Sequence, residues 1–401
     1  MANSFSADFA EIWAKEQQIV FHKENVAMKI ADTSFKSQMS FWDTLNRPYR
    51  SSNNIQTYTR WTAITINDKT DTNEQLVVNK QYANWFYVDD FDRIQSSYNL
   101  IANYGRDEWV LLSNQVDADV LGEYSNATST VDDWTLGGTS GNGIALTTSN
   151  VLQVLSASKR KLAKQNVPIS DLFWVISPEF EDILIQQQAA RNTWMWDWFN
   201  KDWAIMDLYG FRLYRSNQTA GSAILALATQ PTNGDTLTIQ WVTFTFVSSI
   251  GTTAWNVLIG ANVDVTRASL VALINDPSTT SSTQVALATN DKNKFIACVT
   301  ATNDNTANTA TVIYKWAWVL TVSETLTDWT DTWTAVKQKQ HNLFWRKGAV
   351  VLVMQSEPRP QIKQVPDKLW VNILNWVLYW VKTFADWAKQ LVNAEIKSSA
   401  Y

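Results

Sequence analysis

The feature that most constrains this chain is the placement of its tryptophans, because many occupy positions that a fold normally gives to glycine. The 401 residues include 22 Trp and only 12 Gly. An average protein of this length carries about 28 Gly. Added together, the two residue types number 34, a normal glycine supply with a few tryptophans besides. The sequence therefore predicts a source genome that reads UGA as glycine, translated with a table that reads it as tryptophan.

Turn chemistry supports this interpretation. Four Trp fall within residues 194–203 among Asn, Asp and Thr, which are turn residues. Gln240-Trp241 joins two alternating segments as a two-residue hairpin turn, where glycine is favoured over a bulky indole. Three further tryptophans closely follow Asn or Asp in slots typical of Asx-Gly turns: Trp85, Trp329 and Trp387. Two others look like genuine tryptophans: Trp13 and Trp333.

The alternative is that every tryptophan is real. A Trp-rich chain would then indicate sugar stacking, nucleic-acid stacking or a belt at a membrane surface. Those uses place Trp on exposed faces at regular spacing, whereas here it is scattered through turns, loops and strand ends. A carbohydrate-binding or membrane-active protein is therefore the competing interpretation from a different functional class.

Charge and cysteine usage exclude several other classes. The formal net charge is −5, and a dedicated nucleic-acid-binding protein would show a basic patch or stripe. Cys298 is the only cysteine, which excludes a disulfide framework and fits a reducing cytosol. The N-terminus lacks the pattern of a signal peptide, and no apolar run reaches membrane-spanning length. We expect a protein of cytosolic origin without a membrane partner.

Hydrophobic periodicity predicts an α+β fold. The clearest element is a helix of roughly 30 residues that opens after Asp89-Asp90 and breaks near 124–126. Other helices are predicted at 11–18, 149–164, from Pro178 and at 265–275. Strands are predicted at 172–176, 211–214, 236–247 (a hairpin), 284–289, 294–300, 310–322 and 350–354. Residues 369–381 resemble an interfacial helix if taken literally, but glycine at 370, 376 and 380 would give short strands broken by turns.

No catalytic, cofactor-binding or metal site is predicted, so we expect a protein that is not an enzyme. His341 lies close to Lys337 and Lys339 and is interpreted as a solvated residue. The carboxylates Asp89, Asp90 and Asp92 are interpreted as a helix cap and not as a cation site. Asp197 and Asp202 are interpreted as turn residues and not as a catalytic pair.

With glycine restored, six segments resemble the major capsid proteins of tailed double-stranded DNA phages, which have the Hong Kong 97-like fold. The segments are Glu11–Ala14, Phe41–Thr44 (with Trp42 in place of glycine), Phe86–Gln95, Phe211–Asn217, Phe344–Ala349 and Leu378–Phe384. Each motif is short, and none is a catalytic signature.

The resemblance implies a division of the chain. It consists of an N-terminal arm (1–45), an extended hairpin loop with a peripheral-domain strand (46–88), a spine helix with peripheral domain (89–146), the first half of an axial domain (147–218), a β-rich insertion domain (219–334) and the axial and peripheral return (335–401). The insertion resembles small β-rich domains of phage capsid and tail proteins.

The resemblance also implies a function. Copies of the chain would form hexamers and pentamers of an icosahedral shell in the virion, assembled in the host cytoplasm around double-stranded DNA that is not bound specifically. Further partners would be a scaffolding protein, a portal and decoration proteins. The inter-subunit contact loop would contain Trp194, Trp196, Asp197, Trp198, Asp202 and Trp203. An encapsulin-like nanocompartment shell and a tail-tube protein are the alternatives within the structural class.

Overall fold

A computed structural model describes most of the chain outside its N-terminal segment. The described residues are 25–37, 44–50, 55, 57–63, 71–91, 100–189, 207–208, 210–287, 292, 295, 298–315, 320–334, 338–357, 361–365 and 368–398. The α-helices in this part are α1 Ala27–Ile30, α2 Leu100–Leu121, α3 Val151–Lys164, α4 Pro178–Ala189 and α5 Val263–Asn275. The arm helix predicted at 11–18 lies outside the described residues.

The strands form four sheets. They are β1 Thr44–Arg50, β2 Asp71–Val77, β3 Lys80–Asp89, β4 Ser129–Val131, β5 Leu172–Ile176, β6 Asp207–Leu208, β7 Phe211–Arg215, β8 Gly221–Ala226, β9 Thr236–Ile239, β10 Val242–Val247, β11 Asn256–Leu258, β12 Val299–Asp304, β13 Thr309–Tyr314, β14 Val322–Glu324, β15 Lys339–Arg346, β16 Val350–Ser356, β17 Gln361–Gln364, β18 Trp370–Thr383 and β19 Leu391–Lys397.

The largest sheet has nine strands, in the order β12-β13-β8-β15-β5-β7-β6, with β19 and β4 beside β15. Strands β5 and β7 run parallel and are connected through α4, as a βα crossover requires. Helices α3 and α4 cover one face, where Val154, Leu155 and Phe180 pack against Trp174 and Phe344. The helices and strands predicted across 149–215 are confirmed.

Helix α2 lies between the other face of this sheet and a second, four-stranded sheet. It contributes Leu112, Val116 and Val120 to a cluster that contains Val175 of the first sheet and Tyr379 of the second. The helix ends in a 3-10 turn at Gly122–Asn126, where the break was predicted. The Asp89 carboxylate accepts a hydrogen bond from the Phe91 N–H at 2.8 Å, the kind of capping contact predicted for this carboxylate, whereas α2 itself begins at Leu100. Residues 92–99 lie outside the described residues.

The second sheet consists of β3, β16, β17 and β18. Strand β18 runs without interruption through residues 370–383 and pairs with β3 from Trp370↔Asp89 to Tyr379↔Lys80. The interfacial helix is therefore excluded, and the prediction of short strands broken by turns is wrong. Trp85 lies in the middle of β3, so its assignment to a turn is also wrong. Alternation on a half-buried sheet explains both errors, because the strands continue through the polar positions.

Strands β1 and β2 form the expected long hairpin, with Thr44 opposite Val77 and Arg50 opposite Asp71. Within the described residues of the hairpin, the base joins a small hydrophobic cluster, in which Leu76 packs against Val351 and Trp380. The described residues beyond this base, 55 and 57–63, are all exposed.

Residues 219–334 contain a hydrophobic cluster of their own, built from the β9-β10 hairpin, α5, β8, β12 and β13. The hairpin and α5 are confirmed. The prediction of a strand at 294–300 is wrong at Phe295 and Cys298, which have helical backbone. The strand predicted at 284–289 is reduced, within its described residues, to an isolated bridge between Gln284 and Val257. The range 310–322 covers β13 and the start of β14 instead of one strand. Strands β8, β12 and β13 also extend the nine-stranded sheet, so this cluster shares a sheet with the surrounding chain. The domain boundaries stay a prediction.

Candidate functional site

The described residues hold no arrangement typical of an enzyme's metal centre. No group of three or more His, Cys, Asp or Glu side chains is placed to bind a metal in this part of the chain. Cys298, the single cysteine of the sequence, is buried. Among the helices of the described ranges, none is both long enough and apolar enough to span a membrane. The candidate functional sites described below are exposed surfaces, together with the side-chain contacts that hold those surfaces in place.

The contact loop expected from the sequence lies outside the described residues, with all six of its members: Trp194, Trp196, Asp197, Trp198, Asp202 and Trp203. Its flanks are described. Helix α4 ends at Ala189 before it, and β6 begins at Asp207 after it, at the edge of the nine-stranded sheet. The role of this loop stays a prediction.

The base of the β1-β2 hairpin is clamped to the end of β18. Arg47 donates from both terminal nitrogens to the Asp386 carboxylate, each at 2.7 Å. The same guanidinium lies 4.4 Å from the ring centroids of Phe384 and Trp387. Hydrogen bonds from Arg47 lower the pKa of Asp386 below its ordinary value. A planar, bidentate donor that also stacks on aromatic rings is a role for which arginine is suited and lysine is not.

A second set of contacts holds the other strand of the hairpin. Lys382 lies 3.5 Å from the Glu74 carboxylate and donates to the Gln75 carbonyl at 2.7 Å. Glu74 also accepts from the Ala385 N–H at 3.2 Å. Both strands are therefore tied to the same corner of the protein, and the direction in which the hairpin leaves the body is determined there.

The described part of the hairpin tip presents apolar side chains to solvent. Ile55 is fully exposed, Trp61 is 94% exposed and Tyr58 is exposed as well. Monomeric proteins rarely leave apolar groups together on an extended projection, and such patches typically mark contacts between proteins. The hairpin thus combines a clamped base with a tip suited to a neighbouring molecule.

A buried carboxylate joins helix α2 to three other parts of the chain. Asp119 lies 2.8 Å from the Lys80 ammonium and accepts from the Tyr379 hydroxyl at 2.6 Å. Lys315, just past the end of β13, is 3.9 Å away. Burial, together with the Asp119 charge, raises the pKa of the Tyr379 hydroxyl. Removal of one partner from such a pair leaves an uncompensated charge, so the contact fixes the helix against the sheet.

Sequence reasoning missed Arg47, Asp386 and Asp119. One signal was present: Asp117 and Asp119 alternate with Val116, Ala118 and Val120, and carboxylates within an apolar helical segment indicate buried charge with partners. Asp117 accepts from the Val26 N–H at 2.9 Å. The Arg47–Asp386 pair joins residues far apart in the chain and has no local signal.

The interpretation of His341 as a solvated residue is wrong. Its ring stacks on Tyr124, with centroids 3.7 Å apart, and its Nε2 lies 2.9 Å from the Ser222 hydroxyl. Nδ1 contacts the amide of Asn393. Burial lowers the pKa of His341 to about 3. The error arose because both faces of β15 are covered, so an adjacent lysine such as Lys339 does not indicate exposure.

Comparison with known proteins places this architecture among phage capsids. No protein-family profile matches the sequence, and no curated protein does either. Among solved structures, one of Mycobacterium phage Che8 superposes with a TM-score of 0.57 at 12% identity, covering 97% of this chain and 98% of that chain. The mature capsid of bacteriophage PhiM1 gives 0.52 at 9% identity, covering 98% and 93%. The capsid of cyanophage P-SCSP1u gives 0.50 at 9% identity, covering 98% and 94%.

These similarities define the class of the fold. The chain has the α+β fold of solved phage capsid structures over nearly its whole length, as the resemblance in the sequence implied. At 9–12% identity the likeness concerns the fold and not particular residues.

Proposed function

We propose that this chain is a major capsid protein, a structural subunit whose copies assemble into the icosahedral shell of a tailed double-stranded DNA phage. The observation that carries the proposal is a capsid fold covering 97–98% of the chain. The clamped hairpin adds to it, because its exposed apolar tip gives the subunit a reach toward neighbouring copies. The role is structural and not enzymatic.

The proposed partners follow from that role. Copies of the chain form hexamers and pentamers, a scaffolding protein directs their assembly in the host cytoplasm, and a portal and decoration proteins complete the virion. The shell encloses double-stranded DNA without binding a particular sequence. The net charge of −5 agrees with this, since a strongly basic surface would hold the packaged DNA tightly.

Two other shells or tubes compete within the structural class. An encapsulin-like nanocompartment would enclose a cargo enzyme instead of a genome, so the identity of the contents separates it from a phage capsid. A tail-tube protein would lack a long spine helix. The 22 residues of α2 between the two sheets therefore favour a shell subunit.

The finer part of the proposal concerns the polypeptide itself. We propose that the source genome reads UGA as glycine, so that many of the 22 tryptophans stand for glycine in the functional protein. The scarcity of glycine, with only 12 in 401 residues, supports this.

Assembly of the recombinant chain tests the function. The chain would be produced with glycine at the suspect positions, with and without the scaffolding protein encoded nearby, and studied by sedimentation and negative-stain microscopy. We expect closed shells or rings of capsomers. A folded monomer that never assembles, even with the scaffold, would contradict the proposal and favour the binding-protein alternative.

A further inference from the structure

The backbone separates the tryptophans into two groups. Six non-glycine residues in the described ranges have positive φ, and three of them are Asn166, Asp171 and Asn308. Asn and Asp adopt this conformation routinely, because their short polar side chains bond locally. Two of the others are tryptophans, Trp61 at φ 73° and Trp255 at φ 75°. For a bulky residue the left-handed region is a genuine outlier, whereas glycine enters it without steric cost.

The two indoles differ in how much packing they gain. Trp61 is 94% exposed at the hairpin tip, so its indole gains little from packing. Trp255 is half-buried and packs against the cluster of residues 219–334, where its ring meets Phe244 edge-on at 6.3 Å between centroids. The backbone at this position also forms a hydrogen bond, in which the Trp255 carbonyl accepts from the Thr245 N–H at 3.1 Å. A glycine would make that hydrogen bond equally well.

Trp333 shows the opposite pattern. It is 8% exposed and belongs to the cluster of residues 219–334. Its indole N–H donates to the Ser323 carbonyl at 3.2 Å, and its φ is not positive. A buried ring with its N–H bonded is the ordinary use of tryptophan in a core.

The hairpin turn at Gln240-Trp241 contains a tryptophan whose φ is not positive. The left-handed residue there is Gln240, at φ 56°, and not Trp241. Turn position alone therefore does not identify a glycine, and the assignment of individual residues rests on φ together with burial.

We infer that positions 61 and 255 hold glycine in the functional protein, whereas position 333 holds tryptophan. The gene should carry UGA at the first two positions and UGG at the third. This rests on the recoding proposed above and is independent of whether the chain forms a shell.

A consequence follows for the surface of the second sheet. Its face opposite α2 carries Trp85 and Tyr87 on β3 and Trp370 and Trp376 on β18, with the first two strongly exposed. Taken literally, this is an aromatic platform of the kind that stacks on sugars. A genetic code is read uniformly, so UGA codons at these three tryptophans would reduce the platform to a single tyrosine.

The test reads the codons and then the residues. The gene sequence gives the codons, and peptide mass spectrometry of the protein purified from the natural host gives the residues in peptides containing positions 61, 255 and 333. We expect a UGA codon and a glycine residue at positions 61 and 255, and a UGG codon and a tryptophan residue at position 333. UGG at position 61 or 255, or tryptophan in either peptide, would overturn the inference. So would glycine at position 333.

Stability of the recombinant full chain provides a second readout. We expect Trp61→Gly to raise the melting temperature, because it relieves a strained residue whose indole gains little from packing. Asn308→Gly is the matched control at a left-handed position and should produce no comparable rise. Trp333→Gly should lower the melting temperature. An unchanged or lower melting temperature for Trp61→Gly would count against the inference. Because no assembly is needed, these results are separate from a failure to form shells.

Discussion

Two regions of this protein are stabilised in opposite ways. Residues 219–334 enclose their own hydrophobic cluster, in which Leu237, Phe244 and Phe246 are fully buried. The hairpin of β1 and β2 buries little beyond Leu76 and is held at its base by Arg47 and Lys382. One region is stable through its interior, and the other depends on a few polar contacts and on whatever covers its tip.

The difference shows which region is stable within one subunit and which region depends on contact with another molecule. A two-stranded hairpin is marginal in water without further packing. We expect the exposed apolar tip of such a hairpin to be stabilised further when a neighbouring molecule covers it. The cluster of residues 219–334 has no such need. We therefore expect the two regions to respond differently to mutation, to acid and to assembly.

The largest effect is expected inside the cluster. Phe244→Ala removes a fully buried ring that contacts Phe295, with centroids 5.7 Å apart. Such a truncation costs about 3–5 kcal/mol of unfolding free energy. Chemical denaturation measures it, with the exposed neighbour Thr243→Ala as control, for which a change within about 0.5 kcal/mol is expected. If the two substitutions had equal effects, burial in the cluster would not be the source of this region's stability.

Acid should weaken the packing of β15 against β8, the strand through which the cluster of residues 219–334 joins the rest of the nine-stranded sheet. His341 contacts Ser222 of β8, and its pKa in the folded protein is about 3, against an ordinary 6.5. The unfolded chain binds the proton more readily between these values, so stability is present above pH 6.5 and falls as the pH falls toward 3. The loss between about pH 7 and about pH 5 should be about 2 kcal/mol.

Denaturation of the wild-type chain and His341→Gln at both pH values measures this loss. Carboxylates such as Asp386 also contribute at low pH, so the difference between the two proteins isolates the histidine. A smaller loss in His341→Gln is expected. Identical losses in both proteins would show that the histidine does not contribute.

Loss of the hairpin clamp should have a moderate effect. Arg47→Ala removes a bidentate ion pair and two cation–π contacts at a partly exposed site, at a cost of about 1–2 kcal/mol. Arg47→Lys keeps the charge without the planar fork and should restore only part of the loss. We expect Arg47→Ala to impair assembly more than it lowers the unfolding free energy, because the hairpin is no longer held in a fixed orientation. If the Arg47→Ala variant formed normal shells, the contact between Arg47 and Asp386 would not be required for assembly.

The smallest effect on stability is expected at the tip. Ile55 is fully exposed, so Ile55→Asp should change the unfolding free energy by less than about 0.5 kcal/mol. The same substitution should prevent assembly, because it places a charge in the contact with the neighbour. Ile55→Val is the conservative control and should assemble. If the Ile55→Asp variant formed shells, the hairpin tip would not be part of the contact between copies.

Sequence reasoning predicted what local periodicity encodes. Helix α3, strand β5 and the β9-β10 hairpin follow from spacing and turn residues, and each was confirmed. The burial of His341 was missed, because it depends on two layers covering β15. The unbroken β18 was missed because tryptophan was interpreted as a turn residue. The Arg47–Asp386 clamp joins strands that only the tertiary fold brings together. The contact loop at 194–203 stays a prediction.

The central claim is that the hairpin gains stability from neighbouring copies whereas the cluster of residues 219–334 is stable within one copy of the chain. Hydrogen exchange of the unassembled and assembled chain measures this directly, by comparing residues 44–77 with residues 236–247. The account predicts that protection of 44–77 rises strongly on assembly while that of 236–247 stays unchanged. Equal protection of the hairpin in both states would contradict the account.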